Sequence, residues 1–151
     1  KALAVADEAG KAFPAVAPYF RQPRAVVLAE AGRPADAVKE LDKFLEEADT
    51  LAKVFKEQAV EGLKRTARYR MTGYQVDAGD VDAAVKTLRD LLEDNPKSAT
   101  FHNDLGFVLA DHDRELAEAE KLCRKALELD AAARKSLLDE GKIDAEAAKA
   151  E

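Results

Sequence analysis

The 151 residues are 47% apolar and 36% charged but only 6% aromatic, with no Trp, a balance that favours helices over an all-β fold. A formal charge of −6 speaks against a general nucleic-acid binder, because affinity for phosphate backbones comes mainly from clustered Lys and Arg. The single cysteine, Cys123, excludes an internal disulfide, and no apolar run approaches the roughly 18 residues that insertion across a membrane needs; the compartment stays open.

Residues 1–17 read as an N-terminal helical segment without the charged-then-apolar pattern of a signal peptide. A start at Lys1 and an end inside the helical-looking run 144–151 point to a processed protein or a piece of a longer one. Gly32, Arg33 and Pro34 mark a turn, and Pro34 suits the first turn of a helix whose Ala37, Val38, Leu41, Phe44 and Leu45 share one face. One lengthened helix is predicted near 51–77, closed by Gly79 and Asp80, and the Asp80 carboxylate can cap the next helix. Over 81–94 the apolar face is Ala84, Val85, Leu88, Leu91 and Leu92, with Lys86, Arg89 and Asp90 elsewhere. After Asn95 and Pro96, Ser98 can cap a helix carrying Phe101, Leu105 and Val108. Residues 115–129 repeat the pattern with Ala119, Leu122, Cys123, Ala126 and Leu127, and 132–151 read as a C-terminal helical segment, the start of a further, truncated repeat.

Stacking units must present equivalent faces at equal spacing, so fixed offsets are the test of a repeat. By subtraction, Ala84 to Ala119, Leu88 to Cys123 and Leu91 to Ala126 are each 35 apart, and Met71 to Leu105 is 34, which puts one extra residue in the turn around 111–116. Gly32 to Gly79, Ala37 to Ala84, Leu41 to Leu88 and Leu45 to Leu92 are each 47 apart, about 13 more than a period of about 34. Three to four extra turns of helix within 51–77 would absorb the difference and protrude from a stack.

These residues carry a family likeness. Segment 98–131 resembles a tetratricopeptide repeat, with Leu105 and Gly106 in the Leu-Gly pair and Ala119, Cys123 and Ala126 in the small, large and small slots of the second helix. His102, Leu109 and Ala131 stand where the family has Trp, Tyr and Pro. Segment 65–98 keeps Ala84, Leu88 and Leu91 but carries Arg68, Thr72 and Gln75 in large, small and aromatic slots, and 18–49 keeps its turn and second helix. The resemblance implies an all-α fold in which antiparallel helix pairs stack as a short right-handed solenoid; HEAT-like repeats are the alternative, on the 47-residue offset. Gly106 and Ala119 would let paired helices approach while Leu105, Leu109, Cys123 and Leu127 fill the space between them.

By the same resemblance a ligand lies along the concave surface of the first helices. That surface would carry Thr66, Tyr69, Gly73, Val76 and Asp77, with Arg70 beside them, and in the next unit Thr100, Asn103, Phe107, Ala110 and Asp111. Tyr69 and Phe107 are the aromatic anchors. The cations Lys64, Arg65, Arg68 and Arg70 could receive an acidic segment, or could be a solvated face paired with Glu57 and Glu61 one turn earlier. No metal is expected at His102, Asp111, His112 and Asp113, whose spacing fits no ligand motif, and Cys123 reads as a packed residue rather than a reactive thiol. There is no phosphate-binding Gly loop and no local nucleophile–base pattern, so no catalytic residue and no cofactor are implied. The expected function is a protein-interaction module or assembly scaffold that binds a peptide or helix. Two alternatives stand beside it: a structural segment that packs within a larger protein or self-associates as a homo-oligomer, and a non-catalytic accessory domain of an enzyme.

Overall fold

The computed structural model describes residues 1–142; the rest of the C-terminal segment expected over 132–151 lies outside the described residues. Among the described residues there are seven α-helices and no strand. They are α1 (Ala2–Ala12), α2 (Arg21–Glu30), α3 (Pro34–Glu47), α4 (Glu57–Asp77), α5 (Val81–Asp94), α6 (Ala99–Asp111) and α7 (Leu116–Asp139). Two 3-10 segments, Pro14–Phe20 and Ala48–Lys53, precede α2 and follow α3. The chain forms two compact units, Lys1–Thr87 and a second beginning at Leu88.

The turns reveal the repeat most directly. At the end of α2, Gly32 N–H donates to Ala29 O at 2.9 Å and Arg33 N–H to Leu28 O at 2.9 Å. The end of α4 repeats this with Gly79 to Val76 and Asp80 to Gln75, and the end of α6 with Asp113 to Ala110 and Arg114 to Leu109. This paired closure requires a left-handed residue after the helix, and φ is +72° at Gly32, +81° at Gly79 and +52° at Asp113. Asp113 therefore occupies a glycine slot, 34 residues after Gly79. Glu115 follows Asp80 by 35, so the extra residue expected in this turn lies between Asp113 and Leu116. The expected caps form: Ala83 N–H donates to Asp80 Oδ1 at 3.1 Å, and Phe101 N–H to Ser98 Oγ at 3.2 Å.

In the first unit, α2, α3, the second 3-10 segment and α4 enclose one core containing Ala25, Leu28, Ala37, Leu41, Phe44, Leu51, Val60, Ala67 and Met71. The lengthened helix is real but starts at Glu57, after an extended residue at Lys56. The cause is geometric: nine residues at 100° each would set Leu51 and Val60 about 180° apart on a continuous helix. Both are buried in the same core, so the helix must break between them. With Val60 only 2% exposed, α4 packs into the core rather than protruding.

Polar residues at two core positions of α4 are satisfied locally. Thr72 Oγ1 donates to Tyr69 O at 2.7 Å, and Gln75 Oε1 accepts from Thr87 Oγ1 on α5 at 3.2 Å. This is why Thr72 and Gln75 can be buried where the family pattern has small and aromatic residues.

In the second unit α6 and α7 form an antiparallel pair. Phe101, Leu105, Val108 and Leu109 of α6 are buried, as are Ala119 and Ala126 of α7. Gly106 is the point of closest approach: a Cβ there would lie 2.7 Å from Cys123 Sγ and 3.0 Å from the Ala119 carbonyl. Cys123 is half-buried, in contact with this notch. Leu127 does not fill the space between the helices as expected. It is 71% exposed, because Ala126 takes the inward position and its successor turns to solvent. α7 runs through residues 131 and 132 without interruption.

Candidate functional site

On α4, Ala67, Met71, Thr72 and Gln75 are buried, and the opposite side carries Thr66, Tyr69, Arg70, Gly73 and Asp77, all exposed, with Val76 half-buried. A core-facing stripe fixes where the remaining positions point, so this exposure follows from helical periodicity. The basic run divides. Lys64 forms ion pairs with Asp49 and with Glu61, the latter at 2.9 Å. The Asp49 hydrogen bond, then that of Glu61, holds its ammonium above the ordinary lysine value. Arg65 and Arg70 are exposed and Arg68 is half-buried. Glu61 is the local partner that sequence spacing identified, whereas Asp49 reaches Lys64 only through the fold.

On α6, Thr100, Asn103, Phe107, Ala110 and Asp111 form the exposed face. Phe107 is 63% exposed although Leu105, Gly106, Val108 and Leu109 around it are buried. Beside this face is a depression of about 300 Å³, lined by Ala99, Thr100 and Asn103 of α6 and by Ala126, Leu127 and Asp130 of α7. Two of the expected ligand-facing residues, Thr100 and Asn103, thus meet α7 residues that sequence reasoning had assigned to packing or left unused. A stronger use of the helical period would have found Leu127, since it directly follows an inward residue.

The histidines serve their own helix. Nδ1–H of His102 donates to Ser98 O at 2.8 Å, and Nδ1–H of His112 to Val108 O at 3.0 Å. Among the described residues no group of three or more His, Cys, Asp or Glu is placed to hold a metal ion. A second depression, of about 400 Å³, lies in the first unit among α1, α2 and α3. Its two arginines are engaged in the fold: Arg24 pairs with Asp7 and Glu40, and Arg21 with Glu40 and Glu47. No helix among the described residues is long and apolar enough to cross a membrane.

Paired helices, a repeated turn and a repeated core register define a helical repeat protein, and residues 74–134 match the tetratricopeptide repeat family model. Over that segment the chain is similar to tetratricopeptide repeats. Repeats of this family are protein-interaction modules and typically non-catalytic. Two crystal structures, both of MamA, are similar: one is 19% identical over 88% of this chain and 89% of that one, with a TM-score of 0.46. The other is 17% identical over 94% and 85%, with a TM-score of 0.44. No curated protein matches the chain.

Proposed function

We propose that the chain is a non-catalytic binding module that takes a peptide or helix of another protein on the exposed faces of its first helices, α4 and α6. The observation that carries this reading is Phe107, a large aromatic side chain facing solvent from a helix whose flanking residues are buried. Aromatic side chains commonly dominate interface energy, and Thr100, Asn103 and Asp111 around Phe107 supply polar contacts that orient a ligand. On α4, Tyr69 plays the corresponding part, with Thr66, Gly73, Val76 and Asp77 on the same side. Arg68 and Arg70 beside Tyr69 favour an acidic ligand segment.

Selection of a displayed peptide library on the purified chain tests this. Selected peptides should bind Phe107→Ala about tenfold more weakly or worse, the loss of one aromatic anchor being worth about 1.4 kcal/mol or more. Peptides that contact the α4 face should be weakened by Tyr69→Ala, and Arg68→Glu with Arg70→Glu should reduce both their affinity and its salt dependence. Helicity by circular dichroism should be unchanged throughout. Peptides held equally by the wild type and Phe107→Ala would refute the assignment of the ligand to this face.

A further inference from the structure

We propose that the cavity among α1, α2 and α3 of the first unit binds a small organic phosphate monoester, with its dianionic group between Lys11 and Lys43 and its apolar body against Phe20. The cavity holds about 400 Å³, within the roughly 300–1,000 Å³ typical of small-molecule sites. Each helix lends it two charged residues one turn apart: Asp7 and Lys11 from α1, Arg21 and Arg24 from α2, Glu40 and Lys43 from α3. Four cations thus face two acids, in a chain whose formal charge is −6. Glu47 holds Arg21 from outside this lining and still leaves the cations in excess. The excess is not spread evenly. Arg21 and Arg24 are half-buried and paired with Asp7, Glu40 and Glu47, so the acids of the site are engaged by the arginines. Lys11 and Lys43 are exposed and form no ion pair among the described residues, Lys43 acting on Glu47 only at longer range. α2 begins here without an acid in its first turn, so the positive end of its dipole adds to the field of the lysines.

The type of cation selects the ligand. Carboxylates are matched best by the planar fork of arginine, and Arg21 already presents its fork to Glu47, at 2.9 and 2.7 Å. What remains is a pair of ammonium groups, compact point charges that suit a dianion with three acceptor oxygens. Ala6, Gly10 and Ala17 keep the rest of the lining low, since none has a side chain beyond Cβ, and Phe20 adds an aromatic ring held edge to face with Tyr19 at 6.1 Å between centroids. An organic ester therefore gains apolar contact that inorganic phosphate lacks. No residue of the site belongs to α4 or α6, so the inference goes beyond the peptide-binding reading and the two can fail separately.

Isothermal titration calorimetry of the chain with phenyl phosphate, benzoate and inorganic phosphate tests this. Phenyl phosphate should bind at one site, more tightly than either of the other two, and added salt should weaken it. Lys11→Gln and Lys43→Gln should each weaken it about tenfold or more, with helicity by circular dichroism retained because both side chains are exposed. Ala17→Leu, which narrows the cavity without changing a charge, should weaken it as well. Lys39→Gln, on α3 but outside the lining, and Phe107→Ala should bind as the wild type does. The site is overturned by a wild type that does not bind phenyl phosphate, or by binding that both lysine variants leave unchanged. Equal affinity for benzoate would overturn the ligand class, and equal affinity for inorganic phosphate would reduce the site to an adventitious ion only.

Discussion

The helix pairs α2/α3 and α6/α7 hold the same register by different means. In the first, Arg21 donates to both carboxylate oxygens of Glu47, at 2.9 and 2.7 Å, and to Glu40 at 3.3 Å, while Leu41 and Phe44 of α3 fill the core. In the second, Cys123 and Ala126 stand 82 residues after Leu41 and Phe44, and the smaller side chains are accommodated by close backbone approach at Gly106. One pair is filled by volume and clamped by charge, the other is closed by the absence of a side chain. A repeat register fixes which positions meet, and leaves the choice between volume and proximity to the individual residues.

The contrast predicts where each pair breaks. Phe44→Ala should cost about 3–5 kcal/mol in urea unfolding, by loss of transfer energy and a residual cavity. Leu127→Ala, one position after the slot equivalent to Phe44, should stay within about 0.5 kcal/mol, since its side chain faces solvent. Equal losses at the two sites would mean that the last pair also depends on volume.

Gly106→Leu should cost about 1–3 kcal/mol by overpacking against Cys123 and Ala119. Combining Gly106→Ala with Cys123→Ala should recover much of the loss of Gly106→Ala alone, because Sγ is the nearest atom the new Cβ would meet. Additive losses in that double variant would place the obstruction at the Ala119 carbonyl instead.

The turns offer a smaller and opposite pair of effects. Asp113→Gly should stabilise the chain by up to about 1 kcal/mol, by relieving a left-handed aspartate. Gly32→Ala should destabilise it by about 1 kcal/mol, for the same reason reversed. Thermal melts of the two variants should therefore move in opposite directions.

The smallest effect is electrostatic. The hydrogen bonds of Arg21 hold the Glu47 carboxyl below its ordinary value of 4.5. A carboxyl depressed in the folded state contributes stability that is present above its unfolded value and lost as pH falls through the folded one. Melting temperature should thus fall on acidification below about pH 4.5, and Glu47→Gln should flatten part of that fall; because Glu47 is partly exposed, the contribution is less than about 1 kcal/mol.

Much of this architecture was legible residue by residue. Apolar spacing located α5 and the buried positions of α3, and Asp80, Ser98 and Pro34 marked helix starts because the free N–H groups of a first turn must be met locally. The start of α4 was less so, although the angular separation of Leu51 and Val60 contained it. Of the candidate site, the family resemblance put Thr66, Tyr69, Phe107 and Asp111 on the ligand-facing side, and all four are exposed. It did not disclose that Lys64 meets Asp49, or that Thr100 and Asn103 share a depression with Leu127 and Asp130, because those contacts join segments distant in sequence.

The sequence by itself determined the helical class, the repeat offset and the inward face of each helix, since these depend on residue type and on the 3.6-residue period. Only tertiary structure decided how closely two helices approach, which of two adjacent apolar residues is covered, and where the lengthened segment breaks. Those outcomes depend on the summed volumes and orientations of side chains brought together from separate helices, and no local pattern carries that sum.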